Sequence, residues 1–593
     1  MSENSSNSSI VYADQDAFRN AVTAYLEDEC KFVEQDITEH KHLLPEEKER
    51  LGLLIRNATL RTSKDSTLIV YETPGNLTKL RPGDEVLICE AGNSANPIKA
   101  IVDENAIDWM SFTLMSSEAS ARNVPVIADI IIDEQNNLDT LLSVVRDMVD
   151  GSRGVYFLRM LGGMVMPKEE GRFGRIEDFD ESEIPESFND VQRSAVWMAM
   201  RRPSLAFVQG TPGSGKTHLL AVIAKAYARR AKDVVVMALT HQAVNNALNK
   251  IRSIDECLPV VKIGKRFKNL DLDETVAQDE TFYAYLHKRK ESGFFGDEGH
   301  VVGMTFQSAL LNLGKRRSAF IPQIILFDEA GQIPLAHAIA VGAFGCGSVI
   351  FIGDDAQMPP IYHAKLVGNP LSVSVFERVK QLYPKNGRVL NVTYRMNKRI
   401  AQFVGDCFYR PRGIKLECSE FSSRRHIDDP EIEFVVCSST GSTDENVIEA
   451  RKAVAIANKY LDSGLAPDRL AIITPYRHQV RLIHKLLNES RPDCSDIPLV
   501  DTVERLQGQD VDVIILSFSV DDEVYFVAQK SFLINCNRLN VMFSRATSKV
   551  VVISSQLVQD EVKDIWAKAV TGRGRESIIP IGYDPCDTVG VTQ

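Results

Sequence analysis

Long apolar runs are missing. No stretch of the chain comes near the roughly 18 uncharged apolar residues of a bilayer-spanning helix, so no membrane span is expected. An excess of positive charge is missing too: 68 Lys and Arg stand against 80 Asp and Glu, a net charge of −12. This argues against a polyanion binder coated in positive charge and leaves room only for a local basic groove. The ten cysteines, at 30, 89, 257, 346, 407, 418, 437, 494, 536 and 586, include no C-x-x-C pair and no compact disulfide framework. They read as buried or free thiols of a reducing compartment. Residues 1–10 are Ser- and Asn-rich and lack a basic segment followed by an apolar run, so a secretory signal is not expected. These absences together imply an intracellular chain, cytoplasmic or nuclear, that is not secreted. No repeat of fixed period is visible.

What is present is an ordinary globular composition, 44% hydrophobic and 25% charged over 593 residues, which at roughly 150 residues per domain suggests three or four domains. Residues 1–13 read as a polar, disordered leader. Helical spacing follows over 14–57 (Phe18, Val22, Tyr25, Leu26, then Leu43, Leu44, Leu51, Leu54), interleaved with Glu and Lys, and predicts one or two solvated stalk helices. Short β-like runs divided by turn clusters such as Pro74-Gly75-Asn76 and Arg81-Pro82-Gly83-Asp84 predict a small β-barrel over 58–132. Residues 133–185 read as a second stalk helix (138–149) and a Gly- and acid-rich connector. From 186 on, apolar β-runs alternate with helical patterns, which predicts an α/β fold of parallel sheets with crossover helices.

Gly210-Thr211-Pro212-Gly213-Ser214-Gly215-Lys216-Thr217 lies between an apolar strand and an apolar helix, the context that a P-loop demands. Its glycines let backbone amides curl around phosphates, Lys216 reaches the β- and γ-phosphates, and the Thr217 hydroxyl ligates Mg²⁺. Ile324-Ile325-Leu326-Phe327 then delivers Asp328 and Glu329 to a strand end, about 110 residues downstream. There Asp328 can hold the metal's water shell, and Glu329 can orient or deprotonate the attacking water. The chemistry implied is ATP hydrolysis with Mg²⁺.

Eight strings occur in order: Phe188-Asn189-Asp190-Val191-Gln192, Thr240-His241-Gln242-Ala243-Val244, Asp328-Glu329-Ala330-Gly331-Gln332, Gly353-Asp354-Asp355-Ala356-Gln357, Thr393-Tyr394-Arg395-Met396, Thr474-Pro475-Tyr476-Arg477, Asp501-Thr502-Val503 with Gln507-Gly508-Gln509-Asp510, and Asn537-Arg538-Leu539-Asn540-Val541 through Ser544-Arg545-Ala546. Over about 186–553 the chain resembles superfamily 1 helicases of the B branch. The resemblance is to the group around the nonsense-mediated-decay up-frameshift helicase, senataxin and the immunoglobulin-mu-binding helicase. It implies two RecA-like domains, 186–370 with a helical insertion about 265–300 and 371–558, behind an N-terminal stalk and barrel and before a tail at 559–593.

The same resemblance implies roles. Gln192 would read the adenine edge, Tyr394 stack on the base, Asp510 contact the ribose and Gln357 sense the γ-phosphate, with Arg395 and Arg545 arriving from the second domain. Thr240 and Thr305 on one domain and Thr502 on the other would hold nucleic-acid phosphates without reading bases. Basic clusters at Lys262/Lys265/Arg266/Lys268, Lys288/Arg289/Lys290 and Lys315/Arg316/Arg317 could line that path. Two departures stand out. Asp510 replaces the usual Glu, one methylene longer, and Leu239 and His241 stand where Pro and Asn are typical. The expected function is ATP-dependent 5′–3′ translocation on single-stranded RNA or DNA, unwinding duplexes or displacing proteins. The alternative is a nucleic-acid-stimulated ATPase acting as a clamp or remodelling switch without processive unwinding. Protein partners through the β-barrel or tail, no membrane and a monomeric state complete the expectation. A metabolic P-loop kinase is disfavoured by the arginine strings at 393–396 and 537–546.

Overall fold

The computed structural model describes residues 12–571 apart from short internal segments, the longest being 116–123, 265–270, 288–298 and 316–320. Two parallel sheets form the body. Strands β7 (Ala206–Gly210), β8 (Val234–Ala238), β11 (Val301–Thr305), β12 (Ile324–Phe327) and β13 (Val349–Gly353) are buried along their whole length. Their unbroken Val/Ile/Phe runs are what a sheet covered on both faces requires. With β9 (Val260–Ile263), β10 (Ala277–Asp279) and β14 (Gly387–Leu390) they form, among the described residues, one sheet in the order β10-β9-β11-β8-β12-β13-β7-β14. A second sheet, β17 (Ile432–Val436), β18 (Leu470–Ile473), β19 (Leu499–Asp501), β20 (Val511–Ser517) and β21 (Ala546–Ser554), runs β17-β21-β20-β18-β19.

Ahead of them six antiparallel strands close a barrel: β1 (Leu54–Ser63), β2 (Leu68–Glu72), β3 (Glu85–Glu90), β4 (Asn93–Asn105), β5 (Trp109–Leu114) and β6 (Ile127–Ile132), in the order β1-β2-β5-β4-β3-β6. Closure pairs the first and last strands, with Leu54 opposite Ile131. Tyr71, Phe112, Ile88 and Ile130 fill the interior, each with no exposed surface.

Several expectations change on the structure. The long helix α1 (Gln15–His42) is not simply solvated: Phe18, Val22, Tyr25 and Leu26 join the core of the first sheet, one turn apart along a single face. The connector 151–185 contains a helix, Val155–Leu161, whose Phe157 and Leu158 enter the same core. The span 371–558 opens with residues that pack on the first sheet, because β14 pairs in parallel with β7. Of 265–300, the expected helical insertion, the described residues comprise the edge strand β10 and one helical turn at 284–287. The tail opens as a helix, Gln556–Thr571, with Trp566 edge-on to Phe403 at 5.0 Å. Lys262 lines no surface: it lies inside β9 with no exposed area, and burial pulls its ammonium down to about 7. The other clustered cations, 265–268, 288–290 and the side chains of 315–317, fall outside the described residues, as do Gln507 and Gly508.

Candidate nucleotide site

The P-loop joins β7 to helix α6, Lys216–Ala228, and two glycines make its path feasible. Gly215, the residue before the helix, has φ +81°, and Gly213 has φ +70°. A Cβ on Gly213 would sit 2.4 Å from Arg395 Cβ, so this loop and the Thr393–Arg395 segment touch backbone to backbone. The amide of Tyr394 donates to the Gly213 carbonyl at 2.9 Å. Lys216 Nζ donates to Gly210 O at 2.7 Å, folded back over its own loop. Ser214 Oγ is buried and has no hydrogen-bond partner among the described residues. A cradle with a folded-back lysine and an orphaned hydroxyl fits a polyphosphate.

Across the cleft, Asp328 ends β12 and is buried beside Glu329. Burial, reinforced by the Glu329 charge, pushes its carboxyl well above the usual range, while the Glu329 amide and Lys216 pull the other way. A carboxylate so placed, with the Thr217 hydroxyl across from it at the loop, suits a divalent cation, and both residues line the same cleft of about 1860 Å³. Glu329 adopts φ +51°, unusual for a residue with a Cβ, and its amide donates to Asp328 Oδ1 at 2.9 Å.

The same cleft receives Tyr394, Arg395, Gln357, Asp510 and Arg545. Arg395 donates to Ser544 O at 3.1 Å and pairs with Asp510 at 2.6 Å. Arg545 lies 4.0 Å from the same carboxylate oxygen, and burial, with Arg395 beside it, lowers its guanidinium to about 10. Asp510, expected at the ribose, is here the counter-ion of both arginines. Gln192 is engaged structurally. Its Oε1 accepts from the Asn189 amide at 2.9 Å, closing a capping box on helix α5, Asp190–Met200, and its Nε2 donates to Ser214 O at 3.0 Å. Asn189 Nδ2 donates to the Tyr394 hydroxyl at 2.9 Å, so the adenine-reading and base-stacking candidates are joined.

The three threonines divide. Thr240 is exposed on the cleft wall, where its hydroxyl caps helix α7, His241–Ile254, by accepting from the Ala243 amide at 3.2 Å. Thr305 ends β11 and Thr502 follows β19, but both are buried, and the Thr305 hydroxyl is already shared with Ser308 at 3.1 Å. Residue patterns missed the polar contacts that join the two units. Tyr409 donates to Asp354 at 2.5 Å, and Asn540 donates to Ala356 O at 2.7 Å. The N-x-x-Q spacing of Asn189 and Gln192 before an apolar helix signals the capping box within the first unit.

Two matches to an AAA domain cover residues 187–374 and 371–557. The chain is 25% identical over 412 residues to the DNA replication ATP-dependent helicase/nuclease JHS1 of Arabidopsis thaliana, covering 62% of this chain and 28% of that protein. It is 26% identical to the ATP-dependent helicase NAM7 of Saccharomyces cerevisiae over 423 residues, 62% of this chain and 41% of the other. To the regulator of nonsense transcripts 1 homolog of Drosophila melanogaster it is 25% identical over 543 residues, 81% and 45%. The chain thus spans less than half the length of these relatives. A crystal structure of an arterivirus nonstructural protein 10 helicase aligns at TM-score 0.40 and 13% identity, over 84% of this chain and 79% of that one. With two AAA domains in tandem and ATP-dependent helicases of both the DNA-replication and the nonsense-transcript kind among its relatives, the chain resembles the superfamily 1B helicases.

Proposed function

We propose that this chain is an ATP-driven 5′–3′ translocase on single-stranded RNA or DNA, an intracellular monomer that unwinds duplexes or displaces bound proteins. The observation that carries the reading is the meeting of Arg395 and Arg545, from the second unit, with the P-loop and Asp328–Glu329 of the first. In this mechanism ATP draws Lys216 from Gly210 O to the β- and γ-phosphates and draws both arginines from Asp510 to the γ-phosphate. Glu329 takes a proton from the attacking water as the γ-phosphoryl group leaves ADP. Thr217 and Asp328 would hold Mg²⁺, which when bound neutralises charge on the phosphates. Gln192, Tyr394 and the loop Gly210–Thr217 would seat the nucleotide, with Gln357 facing its γ-phosphate.

Closure of the second unit on ATP and its release with ADP would alternate two grips on the strand, Thr240 with Thr305 and Thr502 opposite. Phosphate contacts of this kind supply affinity without sequence readout. Protein partners on the barrel or tail belong to the same proposal. The test is ATP hydrolysis with single-stranded RNA, single-stranded DNA and neither, followed by unwinding of duplexes carrying a 5′ or a 3′ tail. Stimulation by a strand and unwinding from the 5′ tail are expected. Preference for the 3′ tail overturns the direction, and stimulated hydrolysis with no unwinding from either tail favours the clamp.

A further inference from the structure

Asp354 follows β13 and is buried, 2% exposed, at the seam between the two units. A carboxylate out of water survives only with its lone pairs occupied. Its own unit supplies three donors: the Ala356 amide at 3.2 Å, Gln357 Nε2 at 2.8 Å and Gln209 Nε2 at 3.4 Å. Among the described residues the remaining donor is the hydroxyl of Tyr409, at 2.5 Å, and it comes from the second unit.

Tyr409 closes a π-helical turn, Gly405–Tyr409, after the helix Lys398–Val404, and is itself without exposed surface. Such turns interrupt the regular hydrogen-bond ladder and recur at functional positions. Its hydroxyl also accepts from Asn540 Nδ2 at 3.0 Å, and Asn540 donates again to Ala356 O at 2.7 Å. One turn earlier Asn537 donates to the carbonyl of Gln357. Both asparagines stand on the helix Cys536–Ser544, whose C-cap is Arg545. The loop that carries Gln357 is therefore gripped by the helix that carries Arg545, and Tyr409 and Asp354 form the charged centre of that grip. Shifting the second unit would take away one of the donors that hold this buried carboxylate, so the contact favours a single placement of that unit.

We propose that Tyr409 is a positioning residue which, by donating to Asp354, couples the orientation of Gln357 to the placement of Arg545 as the cleft works. The idea rests on the ATPase reading above. It adds a residue outside the eight strings to that site, and it explains why Gln357, with its amide nitrogen held by Asp354, presents a fixed face to the cleft.

The experiment is a double-mutant cycle on the full chain with Tyr409→Phe and Gln357→Ala, reading strand-stimulated turnover, KM for ATP, affinity for a fluorescent ATP analogue and thermal midpoint. Loss of one hydrogen bond to a charged group predicts a fall in kcat of about tenfold for Tyr409→Phe, with KM and analogue affinity little changed and the thermal midpoint lowered because the buried carboxylate loses a donor. In the Gln357→Ala background the same substitution should cost less than twofold. Turnover of Tyr409→Phe within twofold of the parent overturns the proposal, and so does an undiminished tenfold loss without Gln357. Should Tyr409→Phe fold poorly, Asn540→Ala removes the neighbouring link and is read in the same cycle, where additivity with Gln357→Ala likewise overturns it. A parent chain with no stimulated hydrolysis at all would instead overturn the ATPase reading and the coupling built on it.

Discussion

Glu329 holds a left-handed backbone that costs a residue with a Cβ roughly 1–2 kcal/mol, and it does so where β12 ends and the cleft begins. Strain of this kind is kept where the fold over-determines it, next to chemistry. Glu329→Gln keeps the side chain's size and removes its basicity, so the variant should bind an ATP analogue as the parent does and lose at least 100-fold in turnover, by roughly the scale of general-base catalysis. Lys216→Ala should lose binding and turnover together, because the positive charge serves both; equilibrium binding and steady-state rates separate the two outcomes. Asp328 gives a pH signature. Its pKa is raised in the folded chain, chiefly by burial, so the native state holds a proton that the unfolded state has released. Its contribution therefore falls as pH rises through and above the ordinary carboxylate range. Relative to the parent, nucleotide-free Asp328→Asn should lose less thermal stability between pH 5 and pH 8, and thermal denaturation across that range checks it.

At the scale of elements, α1 links the stalk to the first sheet through Leu26, which has no exposed surface in a core shared with Leu141, Val145 and Phe157. Leu26→Ala should cost about 2–5 kcal/mol of stability, measured by urea denaturation, whereas Leu44→Ala, at a side chain 63% exposed, should cost little. The four positions Phe18, Val22, Tyr25 and Leu26 were readable as one helical face, but that pattern does not say what covers the face. The helix Val155–Leu161 escaped because seven residues bracketed by Gly154 and Gly162 carry too few turns for a periodic signal. β14 escaped for a different reason: Gly387–Leu390 is short, half-buried and paired with a strand about 180 residues earlier. The nucleotide site was far more legible, since P-loop geometry constrains a contiguous string. The Asp510 bridge and the Tyr409–Asp354 contact join residues 35 or more positions apart, and no local pattern encodes them.

At the scale of the molecule, the barrel behaves as a loop let into the chain between α1 and the helix Leu138–Arg146. Those two helices pack on each other and on the first sheet's core. The barrel's own entry and exit strands are hydrogen-bonded neighbours, with Leu54 opposite Ile131, so its ends lie close enough for a short linker to replace it. Its hydrophobic cluster is separate from the others, built on Tyr71, Phe112 and their neighbours. Excising the barrel therefore removes one core and leaves the rest complete. Its Asp103 and Glu104, however, line the large cleft, as Thr240 and Arg469 do. Carboxylates there oppose a polyanion at long range, an effect that salt screens within about 10 Å at 0.1 M. A chain with 54–132 replaced by a Gly/Ser linker should fold cooperatively and bind the ATP analogue as the parent does. Its affinity for a single strand should change, and the slope of affinity against salt should change with it. Loss of folding or of nucleotide binding would show instead that the barrel is part of the motor's own core. An unchanged affinity and slope would show that the strand's path avoids the barrel, leaving that surface to other partners.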